Sequence, residues 1–262
     1  MLQYPNINPV ALDLGFLQIH WYGISYLVAF VLGWWLASRL AARPQSGWTN
    51  DELGDFIFYV VLGVIVGGKL GSVLFYNTET LFSDPLAALN PMSAGMSFHG
   101  GFLGVLVGLW AYGRKTNRTF FQVSDFIAPT IPVGLGLGRI GNFINGELWG
   151  RPTDVPWGMV FPHVDSQARH PNQIYQFIGE GIILLAIMWF FAMKKRPRAV
   201  VSGMFCLSYG IYRFLIEFVR EPDEHLGFIA FDWLTMGQLL SFPMIIAGLI
   251  MMYVGYKRNI ID

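Results

Sequence analysis

Apolar runs of the length a helix needs to cross a bilayer, about 17–25 residues, recur along this chain and set its pattern. Seven stand out: His20–Leu40, Phe56–Tyr76, Phe98–Tyr112, Phe120–Phe143, Ile174–Met193, Val200–Phe218 and Met236–Tyr256. Each predicts a transmembrane helix. The third is short. The fourth carries Pro129 and Pro132, which lack an amide donor and crowd the preceding turn, so a kink or a partly re-entrant path is expected there. Two intervals on the same side are longer than a turn. Residues 77–97 contain no Lys or Arg and suit a segment lying along the interface. Residues 149–172, rich in Pro, Asp and His, read as an irregular cap. No 20–50-residue repeat and no second domain is visible. The pattern therefore predicts an all-α polytopic membrane protein, residues 1–262 forming one integral membrane domain with those two segments as arm and cap.

The intervals also set an orientation. Arg39, Arg43, Arg114, Lys115, Arg118, Lys194, Lys195, Arg196, Arg198, Lys257 and Arg258 all fall on one side if the spans alternate. An excess of Lys and Arg marks the cytoplasmic face. The N-terminus is then outside and the C-terminus inside, as an odd number of spans requires. Met1 to Gly15 has no positively charged leader region, so the first run is expected to remain as an uncleaved anchor.

Composition agrees with the pattern and narrows the chemistry. The chain is 54% hydrophobic and 13% charged, about half the charged fraction of a soluble domain. With 17 basic and 17 acidic residues the formal net charge is zero, so no bulk field draws a partner and no nucleic acid is expected. The single cysteine, Cys206, excludes an internal disulfide or a cysteine-based zinc cluster. Set between Phe205 and Leu207 with no basic neighbour, it reads as a small apolar residue rather than a reactive thiol. His163, Asp165 and His170 follow no helix-borne ligand spacing, and no metal is expected from them.

Six basic residues have no part in topology: Lys69, Arg139, Arg151, Arg169, Arg213 and Arg220. All but Lys69 fall at or near the outer ends of the spans. Tyr22 begins the first span, His99 begins the third, Asn142, Asn145 and Glu147 end the fourth, and Glu217 ends the sixth. Polar and ionisable groups at membrane depth are costly unless each has a partner or a ligand. Their gathering at one end of the bundle predicts a polar site that opens toward the outer leaflet.

The densest stretch is Gly138–Arg151, GRIGNFINGELWGR. Arg139 and Asn142 are three apart and share a helix face. A guanidinium is a planar fork suited to phosphate. For Arg139 alone, an ion pair with Glu147 or Glu217 explains the residue equally well; Asn142, Asn145 and Glu147 beside it favour a ligand. Gly136 to Gly141 spells G-x-G-x-x-G, but a nucleotide site needs a strand before it and a helix after it. Close helix packing is expected instead, with Gly134/Gly138 and Gly104/Gly108 as small-residue pairs. Gly141 and Gly146 are expected against a ligand or in a sharp turn. Tyr209, Arg213, Glu217 and Arg220 form one helical stripe, in which Arg213 and Glu217 can also neutralise each other. Arg220, with Glu221, Asp223 and Glu224 nearby, reads as a rim charge. His99, followed by Gly100 and Gly101, is either a structural group or a proton acceptor, the role that histidine fills most readily.

The stretch Gly138–Arg151 resembles the signature of the prolipoprotein diacylglyceryl transferases. His20–Gly23, Ser97–Gly101, Phe120–Phe126, Arg169–Pro171, Tyr209–Asp223 and Met236–Gln238 extend the resemblance along nearly the whole chain. It implies a multi-pass enzyme of the bacterial inner (cytoplasmic) membrane with its active site toward the periplasmic leaflet. Its reaction moves the sn-1,2-diacylglyceryl group of phosphatidylglycerol to the lipobox cysteine thiol of a preprolipoprotein. A thioether forms and sn-glycerol 1-phosphate leaves, without metal or redox cofactor. A monomer is expected. Carried over by motif, Arg139 binds the lipid phosphate, with Gly150, Arg220, Asn145 and Glu217 also on the substrate side. His99, Tyr22, Arg213, Asn142, Glu147 and Tyr209 are the catalytic positions. The family has a glutamate where this chain has Gln176, so either no carboxylate is needed there or Glu180, one turn later, replaces it.

The residues suit that chemistry. A cysteine thiol, pKa about 8.5, attacks as thiolate, and His99 is the candidate base, with Tyr22 or an arginine as alternatives. Arg139 or Arg213 would tighten on the phosphate as the carbon–oxygen bond breaks. The rival reading is an anion or lipid-headgroup transporter using the outward arginines, which predicts polar groups spread through the membrane depth.

Overall fold

The computed structural model describes residues 2–44, 46–76, 78, 83–84, 96–222 and 227–261. Its helices are α1 (Trp21–Ala41), α2 (Asn50–Tyr76), α3 (Phe98–Lys115), α4 (Phe120–Ile127), α5 (Ile131–Ile144), α6 (Asn172–Gln176), α7 (Leu184–Ala192), α8 (Val200–Ile216) and α9 (Met236–Arg258). Among the described residues, five helical stretches are long and apolar enough to cross a membrane: Trp21–Ala41, Asn50–Leu74, Phe120–Ile144, Asn172–Ala192 and Met236–Arg258. Val200–Ile216 is apolar and shorter. Large apolar side chains such as Phe30, Leu103, Phe190 and Leu249 stand exposed on these helices, as a lipid-facing surface allows and a water-facing one of this extent would not. The chain is a polytopic membrane protein. The expected arm, residues 77–97, lies largely outside the described residues.

Contacts divide the chain into two compact units, residues 37–126 and residues 1–36 with 127–262. In the first, α2 and α3 meet backbone to backbone. A Cβ added at Gly71 would lie 2.7 Å from the Gly100 Cα, and one at Gly108 would lie 2.6 Å from the Tyr59 carbonyl. Gly104 meets Gly63 in the same way, so the expected Gly104/Gly108 pair does bring helices together. The Ser97 hydroxyl caps α3 by accepting the Gly100 amide at 3.2 Å. His99 stands exposed in the first turn of α3.

In the second unit the proline-bearing run is divided rather than smoothly helical. A 3₁₀ turn, Ala128–Thr130, joins α4 to α5, because Pro129 cannot donate an amide hydrogen bond. On α5 the interlocking glycine is Gly136, whose added Cβ would lie 2.8 Å from the Gly181 Cα. Gly134 and Gly138 have no described atom within 4 Å of such a Cβ, so the packing pair expected on this helix is corrected. A π-helical turn, Phe177–Ile183, separates α6 from α7.

The cap departs from the all-α expectation. Strand β1 (Leu2–Gln3) runs parallel to β4 (Met159–Val160), which pairs antiparallel with β5 (Ala168–Arg169). A hairpin of β2 (Val10–Asp13) and β3 (Gln18–His20) leads into α1. Tyr4, buried against Phe143 and Phe161, donates to the carbonyls of Phe143 and Ile144 at 2.9 and 2.8 Å. The N-terminal segment is thereby pinned to the end of α5, on which the polar stretch begins.

Candidate active site

Helix α5 delivers Arg139 and Asn142 on one face and then turns sharply. Gly146 has φ +68° and Leu148 φ +59°, a left-handed corner that brings Glu147 back under the helix end. A chain of hydrogen bonds follows. Arg139 Nη1 donates to Asn142 Oδ1 at 3.4 Å, and Asn142 Nδ2 donates to Glu147 Oε1 at 2.7 Å. Asn145 Nδ2 reaches the same oxygen at 3.3 Å. Helix α6 holds the corner from below. Gln173 Nε2 donates to the Glu147 carbonyl at 2.6 Å and Asn172 Nδ2 to the Leu148 carbonyl at 2.9 Å.

Gly141 has no side chain to keep α1 away. A Cβ there would lie 2.6 Å from the Tyr22 ring, so this glycine serves a helix contact rather than a bare backbone facing a ligand. Tyr22, whose hydroxyl lies 3.1 Å from that of Tyr26, is within electrostatic reach of Glu147 and Arg139.

The acid partner of Arg139 is neither Glu147 nor Glu217. Arg139 Nε donates to Glu180 Oε2 at 2.9 Å, and Glu180 is fully buried. Gln176, buried one turn earlier, has its amide nitrogen 3.5 Å from Asn172 Oδ1. The carboxylate in this region is Glu180.

A second cluster hangs from the end of α8. Arg213 and Arg220 both donate to Glu217 Oε1, the Arg220 bond being 3.2 Å, while the Thr235 hydroxyl donates to Glu217 Oε2. Glu217 is 2% exposed. Two guanidiniums thus share one buried carboxylate, and Arg220 is no rim charge. Of the acids near it in sequence, Glu221 accepts from Arg169 at 3.0 Å; Asp223 and Glu224 lie outside the described residues. Thr235 also caps α9 through a reciprocal box with Gln238, and Gly237 leaves room for the Glu217 carboxyl, which a Cβ there would approach to 2.5 Å. Arg151 seals the end of α8, donating to the carbonyls of Arg220 at 2.9 Å and Glu217 at 3.0 Å. Cations suit this end of a helix, where carbonyls lack partners. Tyr209, whose ring stacks on Phe205, interacts electrostatically with Glu180 and Arg139 and with Arg213 and Arg220.

The model of the family described as prolipoprotein diacylglyceryl transferase matches residues 9–254. The chain is 54% identical over 262 residues to the phosphatidylglycerol–prolipoprotein diacylglyceryl transferase of Pseudomonas syringae pv. syringae (strain B728a), covering 99% of this chain and 97% of that protein. It is 53% identical to the proteins of the same name from Ectopseudomonas mendocina (strain ymp), over 260 residues, and Pseudomonas aeruginosa (strain LESB58), over 259, covering 99% of this chain in each case and 98% and 97% of those proteins. The chain belongs to the prolipoprotein diacylglyceryl transferase family.

Gly150 is the crossing point of three segments. Its amide donates to the His170 carbonyl at 2.9 Å, it forms an antiparallel bridge with Arg220, and an added Cβ would meet the Val219 carbonyl at 2.7 Å. Above it the cap is tied by Arg169, which donates to both Asp165 oxygens, to Glu221 Oε2 and to the Gly150 carbonyl. The hydrogen bond from Arg169 holds the Asp165 carboxyl below the usual carboxylate range, and the same bond raises the Arg169 guanidinium. His163 Nε2 lies 2.6 Å from the Gly146 carbonyl, and His170 Nδ1 lies 3.2 Å from the Tyr175 hydroxyl. Burial lowers the His170 pKa. The three residues weighed as metal ligands are therefore engaged separately. The sequence placed Arg151 among the outer basic residues without showing that it bonds the end of α8, and it missed Thr235, which stands just before Met236–Gln238.

Proposed function

We propose that this chain transfers the diacylglyceryl group of phosphatidylglycerol to the cysteine thiol of a prolipoprotein, with Arg139 on the lipid phosphate. The observation that carries this reading is a set of buried, mutually hydrogen-bonded charges in apolar helices, in which Arg213 and Arg220 both bond Glu217 and Arg139 bonds Glu180. Guanidiniums gathered in this way suit a phosphodiester, and its acyl chains match the exposed apolar helix faces.

The step is an in-line displacement. The thiolate sulfur bonds to the terminal glyceryl carbon, the carbon–oxygen bond breaks, and its electron pair leaves on the phosphate oxygen of sn-glycerol 1-phosphate. Guanidiniums stabilise the charge that gathers on that oxygen. His99 is the proposed acceptor of the thiol proton, an imidazole nitrogen being able to take it as a general base. Asn142, Asn145 and Glu147 orient Arg139 and the headgroup, Tyr22 and Tyr209 line the approach, and Gly150 acts by holding Arg220 in place. Seven spans, an outside N-terminus, an active site toward the periplasmic leaflet of the inner membrane, a lipobox substrate and a monomer complete the reading. The transporter reading receives no support from the relatives.

The test is transfer from acyl-labelled phosphatidylglycerol to a lipobox peptide by purified protein in detergent. Arg139→Ala and His99→Ala are expected to abolish transfer while leaving a monodisperse protein. Full activity in His99→Ala removes it as the base.

A further inference from the structure

Glu180 is a carboxylate in the middle of an apolar helical run, and it is 0% exposed. A buried carboxylate is retained only with a partner, because the cost of taking it out of water is otherwise uncompensated. Its partner is Arg139, by one oxygen: Nε to Oε2 at 2.9 Å. The other oxygen, Oε1, has no hydrogen-bond partner among the described residues. The backbone is arranged to seat this group. Glu180 lies in the π-helical turn Phe177–Ile183, a widened turn that shifts the facing of the residues around it. The glycines on either side remove what would block it. A Cβ on Gly179 would lie 2.5 Å from the Tyr212 hydroxyl, and one on Gly181 would lie 2.8 Å from the Gly136 Cα of α5.

The way Arg139 is gripped decides what it can do. A guanidinium presents five donors in a rigid plane. With Nε taken by Glu180 and only a long 3.4 Å contact from Nη1 to Asn142, the paired Nη edge is the part of the fork left for a second anion. We infer that Glu180 is a positioning residue for transfer: it holds Arg139 by Nε so that the Nη edge meets the phosphate, and it neutralises the guanidinium between turnovers. This rests on the reading of Arg139 as the phosphate ligand.

Four proteins test it: wild type, Glu180→Gln, Arg139→Ala and the double variant. The thermal midpoint in detergent, without lipid, reads the pair alone. Arg139→Ala leaves a buried, unpaired carboxylate and melts lower; adding Glu180→Gln removes that charge and raises the midpoint again. Losses that simply add would overturn the pairing. Transfer kinetics read the positioning. Glu180→Gln keeps shape and an acceptor but not charge, and an interaction tightened only in the transition state appears in turnover. Its kcat is expected to fall about tenfold or more with KM for phosphatidylglycerol within about threefold. Glu180→Asp, charged but one methylene short, recovers part of that kcat. An unchanged kcat in Glu180→Gln, or a raised KM alone, overturns the role. A wild type that transfers nothing sinks the functional reading, while the thermal comparison still reports on the pair.

Discussion

Replacing Glu217 by alanine removes a carboxylate that Arg213, Arg220 and Thr235 share. The side chains of Arg213 and Arg220 are only 14% and 13% exposed, so water cannot take the carboxylate's place around them. Breaking a buried pair by removing one partner costs about 3–5 kcal/mol. At about 2–4 °C per kcal/mol for a chain of this size, the midpoint should fall by about 6–20 °C. Glu217→Gln keeps an acceptor for the Thr235 hydroxyl and should lie between alanine and wild type. Cys206, the single cysteine, sits partly buried on α8, the helix that also bears Arg213. A thiol-reactive fluorophore therefore reports the unfolding of the relevant element. A midpoint within about 2 °C of wild type for Glu217→Ala would refute the claim that this carboxylate joins α8 to the start of α9.

Gly179→Ala would drive a methyl into the Tyr212 ring and dislodge a hydroxyl that donates to the Tyr175 carbonyl at 2.6 Å. Overpacking of this kind costs about 1–3 kcal/mol, and because Glu180 is the next residue, transfer should fall with stability; normal values of both would show that the turn yields easily. The cap should loosen with acid in two stages. Burial holds His170 below its free value, so its contribution is present above about pH 6.5 and is lost as pH falls through the lower folded value. A midpoint that declines from pH 7.5 to 5.5, with a flatter decline in His170→Gln, is the expected result. The Asp165–Arg169 contact, whose carboxyl is also held low, should persist until pH drops below about 4.

The spans were legible because a membrane reduces burial to one requirement, a long apolar run. The five long helices of the structure fall on five of the runs read from the sequence. The candidate residues stood out for a related reason: Arg139, Asn142, Glu147, Arg213 and Glu217 are polar or charged groups in or beside apolar runs, where each is costly unless partnered. Partner assignments were less visible. Arg139 and Glu180 are 41 residues apart and meet through a π turn that no local pattern announces. Arg220 stands among acids in sequence, yet its place three residues after Glu217 turns it inward. The cap strands are two residues long, too short for alternation to show. Gly136 rather than Gly134 or Gly138 meets a neighbour because the packing face was set by Gly181, on another helix.

The central claim is that this membrane protein makes a carbon–sulfur bond between a phospholipid's diacylglyceryl group and a peptide cysteine. The direct measurement is the mass of a lipobox peptide after incubation with the wild-type protein and phosphatidylglycerol of defined acyl chains. A mass gain equal to that diacylglyceryl group, stoichiometric release of glycerol 1-phosphate, and no gain on a peptide with serine in place of the cysteine is the predicted result. An unmodified cysteine peptide, with folded protein and intact lipid at the end of the reaction, would contradict it.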